Sequence, residues 1–450
     1  MKKVAAHNLF FIGIGGIGMS GLAKYYRHLG CEVAGYDRVD STITDTLKEL
    51  GCHLMFDEVI EMLPAAFQDK ENTLVVYTPA VPKSNAWFQF FSNNNYQMMK
   101  RSELLGAVTQ DTICLAVAGT HGKTTTSCIL AHLLHECEVP FVGFLGGISE
   151  NFGSNFILTG TKYSVVEADE FDRSFLRLHP KMACITSMDA DHLDIYGSKE
   201  ALQKAFGEFK ALLGLEGKLF IKEGLPISGT TFGLDASAAI RIENIQVETG
   251  TYRFDWVTPN GTYENVRFNQ PGRHNLLNAL AALSMALEIG CKPEQLISAL
   301  GGYKGVERRF SYQINAPERI YIDDYAHHPT EIDAVYGALT EFYPQEKVTV
   351  VFQPHLFSRT QDFADDFARS LAQFDTILLM DIYPAREEPI EGVTSQWLLG
   401  KIQNPKKHLV QKEEVVDACK AAKNKIVVTL GAGDIGKEVE KIKNELAYAS

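Results

Sequence analysis

Val117-Ala-Gly-Thr-His-Gly-Lys-Thr-Thr-Thr126 is the stretch on which the fold turns. Before it stands Thr112-Ile-Cys-Leu-Ala-Val-Ala118, an apolar run of strand length. After it comes Ser127-Cys-Ile-Leu-Ala-His-Leu-Leu134, whose apolar residues recur at helical spacing. Strand, glycine loop and helix in that order suit a polyphosphate, because glycines let backbone N–H groups approach its oxygens and a helix N-terminus favours negative charge. Lys123 supplies a mobile cation and Thr124 a hydroxyl for magnesium. The usual phosphate-loop spacing asks for glycine at 117, where valine stands, so the loop is a shortened form, Gly119-x-x-Gly-Lys-Thr. Between strand and helix it predicts a site for ATP or GTP, against the plainer reading of a glycine turn with an exposed lysine.

A second glycine turn precedes it. Asn8-Leu-Phe-Phe-Ile-Gly-Ile-Gly-Gly-Ile-Gly-Met-Ser-Gly21 runs from a buried-strand pattern into a helix through Gly13-x-Gly15-x-x-Gly18, and Val33-Ala-Gly-Tyr-Asp37 follows as a strand ending in an acid. This is the fingerprint of a Rossmann-like βαβ unit. It suggests NAD at first, yet the same turn holds any diphosphate, including that of a UDP-sugar. Gly13, Gly15, Gly16, Ile17 and Gly18 are the candidate contacts; Asp37 is either a ribose ligand or a polar strand-end residue. The first domain is expected to end near Gly106, which leaves two phosphate cradles on separate domains and implies two phosphorylated ligands meeting in a cleft.

Acids cluster at later strand ends. Tyr163-Ser-Val-Val-Glu-Ala-Asp-Glu-Phe-Asp172 delivers Glu167, Asp169, Glu170 and Asp172, which repel one another unless solvated or facing cations. Ala183-Cys-Ile-Thr-Ser-Met-Asp-Ala-Asp-His-Leu-Asp194 repeats the pattern with His192, a metal ligand or a histidine bonded to a carboxylate. From Gly214 to Phe268 short β-like runs alternate with turns, which reads as an antiparallel appendage. Asn275 and Asn278 then share one face of a helix, placed either to read a purine edge or to stabilise the helix start. The last third alternates strands and helices: Asp323 and Asp324 end one strand before Tyr-Ala-His-His-Pro329, and His355, Arg359 and Arg386 follow others, where ligands sit in open α/β sheets.

With 450 residues, two or three domains are expected. A net charge of -13 argues against a nucleic-acid backbone as partner while leaving room for a locally positive nucleotide site. The eight cysteines contain no C-x-x-C pair, which fits reduced thiols in a cytoplasm. Met1-Lys-Lys opens a stretch like a secretory signal, but His7, Asn8 and the following glycines interrupt it, and no apolar run reaches membrane-spanning length.

Taken in order, Gly13-Ile-Gly-Gly-Ile-Gly18, Gly119-Thr-His-Gly-Lys-Thr-Thr125, Glu167-Ala-Asp-Glu-Phe-Asp172, Asp191-His-Leu-Asp194, His274-Asn-Leu-Leu-Asn278, Asp323-Asp-Tyr-Ala-His-His-Pro329, Gln353-Pro-His355 and Gly431-Ala-Gly-Asp434 resemble the Mur ligase superfamily over essentially the whole chain. The resemblance implies a three-domain α/β protein: a Rossmann-like domain for a UDP-sugar (1–105), a P-loop domain with a mainly parallel sheet for ATP (106–312), and a Rossmann-like closing domain that helps position an amino acid (313–450). It implies an ATP- and magnesium-dependent ligase that phosphorylates the lactyl carboxylate of UDP-N-acetylmuramate and transfers the acyl group to L-alanine, in a monomer or weak homodimer without nucleic-acid or membrane partners. Gly119, Thr120, His121, Gly122, Lys123, Thr124 and Thr125 are thereby expected around ATP. Thr124, Glu167 and His192 are expected around magnesium, Asn275, Asn278 and Asp324 at the nucleotide, Arg309 at phosphate, and His355 and Arg359 near the reacting end.

Two positions depart from the family pattern. Gly207 stands where several relatives carry a carbamylated lysine, with Lys204 the nearest lysine, and Leu356 stands where many have arginine, which leaves Arg386 as a substitute anion contact. The competing readings are a ligase that recycles a tripeptide onto the same UDP-sugar, an NAD-dependent oxidoreductase, and a noncatalytic ATP-sensing protein.

Overall fold

The computed structural model describes residues 7–189, 196, 198–248, 250–385 and 387–448. Among them three sheets carry three α/β domains. The first sheet contains β1 (Asn8–Ile12), β2 (Glu32–Tyr36), β3 (His53–Met55), β4 (Thr73–Tyr77) and β5 (Gln97–Lys100) in the order β3-β2-β1-β4-β5, all parallel. Leu9, Phe10, Phe11 and Ile12 of β1 are fully buried, because helices cover both faces. Their side chains alternate: Leu9 and Phe11 enter one apolar cluster, and Phe10 enters the other with Phe67, Trp87 and Phe91. Strand order reverses on either side of β1, which puts the glycine turn that follows it at the switch point where open α/β sheets bind ligands.

The second sheet has ten strands: β6 (Ile113–Ala118), β7 (Phe141–Ser149), β8 (Ser154–Leu158), β9 (Tyr163–Ala168), β10 (Pro180–Ile185), β11 (Lys218–Lys222), β12 (Thr230–Gly233), β13 (Ile240–Glu248), β14 (Thr251–Thr258) and β15 (Gly261–Phe268). Their order is β15-β14-β13-β12-β11-β10-β6-β9-β7-β8. The register pairs Val117 with Glu167 and Ala118 with Ile185, so the phosphate-loop strand ends between the two acid-bearing strands. One expectation needs correction. The region after Gly214 is not simply an antiparallel appendage, because β11, β12 and β13 each pair in parallel and continue the main sheet. The connections at residues 223–229 and 234–239 are of a length that ordinarily suggests hairpins, so the sequence pattern alone misreads their direction.

The third sheet comprises β16 (Ser311–Asn315), β17 (Ile320–Asp324), β18 (Val348–Phe352), β19 (Thr376–Leu379), β20 (Lys407–Leu409) and β21 (Ile426–Leu430), ordered β16-β17-β21-β18-β19-β20. Only β16 runs antiparallel to its neighbour.

The chain gathers into two compact units. One holds Met1–Glu243, Asp255–Glu264 and Leu277–Tyr303, the other Asn244–Phe254, Asn265–Leu276 and Lys304–Ser450. The first two sheets fall together because one apolar cluster joins Leu9, Phe11 and Leu22 to Ala116, Phe144 and Val166. The helix Arg101–Gln110 runs through the position expected to separate the first two domains. No helix among the described residues is long and apolar enough to cross a membrane.

Candidate active site

The phosphate loop is held open by what surrounds its glycines. Gly119 has φ +134°, and a Cβ there would lie 2.2 Å from Thr186 Oγ1; Gly122 has φ +81°, and a Cβ there would lie 2.4 Å from Asn278 Oδ1. Side chains are therefore excluded twice over, by torsion and by space. The edge of β10 fastens the loop: Ser187 Oγ accepts from His121 N at 2.7 Å, and Thr186 Oγ1 donates to His121 O at 2.5 Å. Thr120 Oγ1 pairs with Ser187 Oγ at 2.9 Å. Gly122 is the N-cap of the helix Lys123–Glu136 and brings no side chain to its first turn, so the orphan N–H groups of that turn face the loop.

The four acids at the end of β9 and just beyond it each take a separate partner, which resolves their mutual repulsion. Lys123 Nζ donates to both carboxylate oxygens of fully buried Glu170, at 2.8 and 3.0 Å, and to Gly119 O at 2.7 Å. Glu167 accepts from Thr124 Oγ1 at 3.1 Å, from Ser127 Oγ at 3.0 Å and from Gly146 N at 2.6 Å. A Cβ at Gly146 would stand 2.3 Å from that carboxylate, so any side chain there would displace it from these three donors. Asp169 faces Arg101 at 3.9 Å, and Asp172 pairs with Lys100 at 3.0 Å. Of the expected magnesium set, Thr124 and Glu167 thus lie side by side as hard oxygen donors next to the loop lysine, which fits that ion. His192 lies outside the described residues, as do Asp191, Asp194 and Arg386, and the described residues alone contain no cluster of three metal-binding side chains.

At the first glycine turn Gly13 has φ +89°, and Gly16 caps the helix Ile17–His28 without a side chain. Asp37 accepts from Gly15 N at 2.8 Å and from Val39 N at 3.0 Å, so its carboxylate braces the turn itself. Asn155 of β8 is fully buried and bridges back: its Nδ2 donates to Ile17 O at 2.6 Å and Ser20 Oγ at 3.0 Å, and its Oδ1 accepts from Lys24 Nζ at 3.0 Å. Burial lowers the Lys24 pKa. Both turns open on one cleft of about 280 Å³, lined among others by Gly18, Arg101, Lys123, Gly146, Asn155 and Glu167.

In the second unit, Asp324 ends β17 with its carboxylate accepting from Phe310 N at 2.6 Å and Ala326 N at 2.7 Å. Burial outweighs those bonds and the nearby Arg309 charge, and pushes its carboxyl up to about 7. Arg309 is exposed, whereas its neighbour Arg308 binds buried Asp323 at 3.1 Å. His355 Nδ1 and Arg359 Nη1 lie 3.4 Å apart beyond β18, and the His355 ring stacks on Tyr383. Leu356 between them has φ +72°. Asn275 Nδ2 donates to Pro271 O at 2.8 Å, the helix-start role left open by its spacing.

Family models match in three consecutive pieces: the Mur ligase family catalytic domain over residues 8–112, the Mur ligase middle domain over 117–286 and the Mur ligase glutamate ligase domain over 308–433. A UDP-N-acetylmuramate–L-alanine ligase of Christiangramia forsetii is 54% identical over 98% of this chain and 98% of its own. The chain belongs to the Mur ligase family. Among solved structures, a UDP-N-acetylmuramate–alanine ligase from Thermotoga maritima superposes with a TM-score of 0.83 at 25% identity, covering 98% of this chain and 100% of that one. A murein peptide ligase from Psychrobacter arcticus shares the fold with a TM-score of 0.68 at 23% identity, with 98% of each chain covered.

For this Mur ligase, the structure brings together Gly119, Gly122, Lys123, Thr124, Glu167 and Asn278 in the first unit, and His355 with Arg359 in the second. Sequence reasoning passed over Thr186 and Ser187, which fasten the loop, and gave Glu170 no partner of its own. It also passed over Arg101 and Asn155. Their signal was faint: polar residues at a strand end, a helix start and a strand interior carry no motif, and their partners lie far along the chain.

Proposed function

We propose that the chain is an ATP-dependent ligase that joins the lactyl carboxylate of UDP-N-acetylmuramate to L-alanine in peptidoglycan precursor synthesis. The observation that carries this reading is the single cleft onto which a diphosphate-type glycine turn and a triphosphate-type loop both open. The choice of alanine is supported by the relatives so named that match nearly the whole chain. The tripeptide-recycling alternative is less well supported, since the murein peptide ligase superposes less closely than the alanine ligase.

In this chemistry a carboxylate, a poor electrophile, gains a leaving group from the γ-phosphoryl of ATP, and the amine of alanine then displaces phosphate from the acyl carbon as the nitrogen gives up a proton. Magnesium, held by Thr124 and Glu167 with His192, supplies charge neutralisation at the phosphates when bound. Lys123 exchanges its Glu170 partner for phosphate oxygen and holds the transferring group in place. The backbone of Gly119, Thr120, His121 and Gly122 and the first turn at Thr125 cradle the chain of phosphates, while Asn275, Asn278 and Asp324 serve the nucleoside. Gly13, Gly15, Gly16, Ile17 and Gly18 take the UDP diphosphate, with Asp37 bracing their turn. Arg309, at the end of the ATP domain, serves phosphate, and His355 and Arg359 serve the reacting end from the C-terminal domain. We assign 1–105, 106–312 and 313–450 to UDP-sugar, ATP and closure, in a cytoplasmic monomer or weak homodimer.

ADP release with UDP-N-acetylmuramate and a panel of L-alanine, serine, glycine and tripeptide tests the reading. Release that depends on alanine is expected. Release with tripeptide alone would mark the recycling ligase, and none with any acceptor would mark a nucleotide sensor.

A further inference from the structure

Among the described residues Arg101 faces one carboxylate and has no acceptor within hydrogen-bonding distance. It opens the helix Arg101–Gln110, its side chain is only 26% exposed, and its one ion pair, to Asp169 Oδ2, is 3.9 Å long. Among the described residues its guanidinium donates no hydrogen bond within bonding distance, although it carries five N–H donors in a rigid plane. The guanidinium lines the cleft, so its donors are open to an oxyanion that enters it.

Its position says what that is. Nη1 lies where a Cβ at Gly18 would come within 2.6 Å, so the guanidinium fills the space left bare by the last glycine of the first turn. The cleft that it lines also holds Asp169, 3.9 Å from the guanidinium, with Lys123 and Glu167. The guanidinium therefore sits at the junction between the diphosphate turn and the phosphoryl-transfer residues. Lys123 is already engaged by Glu170 and Gly119 O. A planar fork of donors matches a carboxylate or a phosphate through two parallel bonds, which an ammonium does not reproduce.

We propose that Arg101 binds an oxyanion of the nucleotide sugar, its diphosphate or its carboxylate, and so fixes the substrate between the two glycine loops. This rests on the ligase reading above. Arg101 is then a substrate-binding residue, and the bare edge of Gly18 is the room its guanidinium needs.

The test measures equilibrium binding of UDP-N-acetylmuramate, of UDP-N-acetylglucosamine, which keeps the diphosphate but lacks the lactyl carboxylate, and of ATP, to wild type, Arg101→Gln and Arg101→Lys. Arg101→Gln is expected to bind UDP-N-acetylmuramate about tenfold or more weaker, with ATP binding unchanged and a smaller loss for Arg101→Lys, which keeps charge and stem but not the fork. An equal loss for both sugars assigns the contact to the diphosphate; a loss confined to UDP-N-acetylmuramate assigns it to the carboxylate. A smaller loss for both sugars, or an equal loss for ATP, overturns the proposal. If Arg101→Gln melts below the assay temperature, Arg101→Met, which keeps the stem without the charge, carries the comparison on the same criteria. Wild-type protein that binds neither sugar overturns the ligase reading and this assignment with it, a pattern distinct from a wild type and variants that bind both equally well.

Discussion

Single side chains set the geometry of the phosphate loop, and two of them give sharp expectations. Gly122 has φ +81° with Asn278 Oδ1 2.4 Å from where a Cβ would stand, while Gly153 has φ +58° with nothing within 4 Å of that point. Gly153→Ala is expected to cost about 1 kcal/mol from torsion alone. Gly122→Ala is expected to cost about 1–3 kcal/mol from torsion, more once Asn278 must move, and to weaken ATP binding as well. Urea unfolding of both variants, with ATP titration of the second, checks the difference. Glu170 matters for another reason. It is fully buried, and its carboxylate is the charge partner of Lys123. Glu170→Gln is expected to cost about 3 kcal/mol in nucleotide-free protein, because it leaves the lysine charge uncompensated. Added ATP should recover part of that loss, giving a larger thermal shift than in wild type; an equal shift would mean that Lys123 does not exchange partners.

At the scale of elements, the helix Ile17–His28 is tied to β8 through one amide. Asn155→Ala removes the shorter of two acceptors of buried Lys24, the other being Ser154 Oγ at 3.5 Å, and the donor to Ile17 O, and is expected to cost about 2 kcal/mol in urea unfolding. Asn155→Asp keeps a partner for Lys24 but sets an oxygen against Ile17 O, so it should recover only part of that. At the end of β17 the sign of the pH dependence follows from burial. The Asp324 carboxyl is raised from 3.8 to about 7, so the native state holds a proton that the unfolded chain has lost. That group's contribution is complete below about pH 4 and disappears as pH rises through 7. The stability of wild type relative to Asp324→Asn, measured by urea unfolding, should therefore fall between pH 4 and pH 7 and level off above.

At the scale of the molecule, the first two sheets share a continuous apolar cluster and the third sheet has a core of its own. Saturating UDP-N-acetylmuramate is expected to slow hydrogen exchange in β1 and β6 together, since ligand stabilises the unit that binds it. Protection of β1 without β6 would show that the two sheets open separately. The sequence by itself determined the βα alternation, the two glycine turns and the acids at strand ends. Those are local properties: a continuous apolar run of strand length makes β1, and the positive φ at 13, 119 and 122 favours glycine. Tertiary structure alone decided that β11 to β13 run parallel, that Glu170 and not Glu167 pairs with Lys123, that Asp37 braces its own turn, and that Arg101 stands against Gly18. Each of these depends on distances between residues far apart in the chain, which no periodicity or spacing within one segment records.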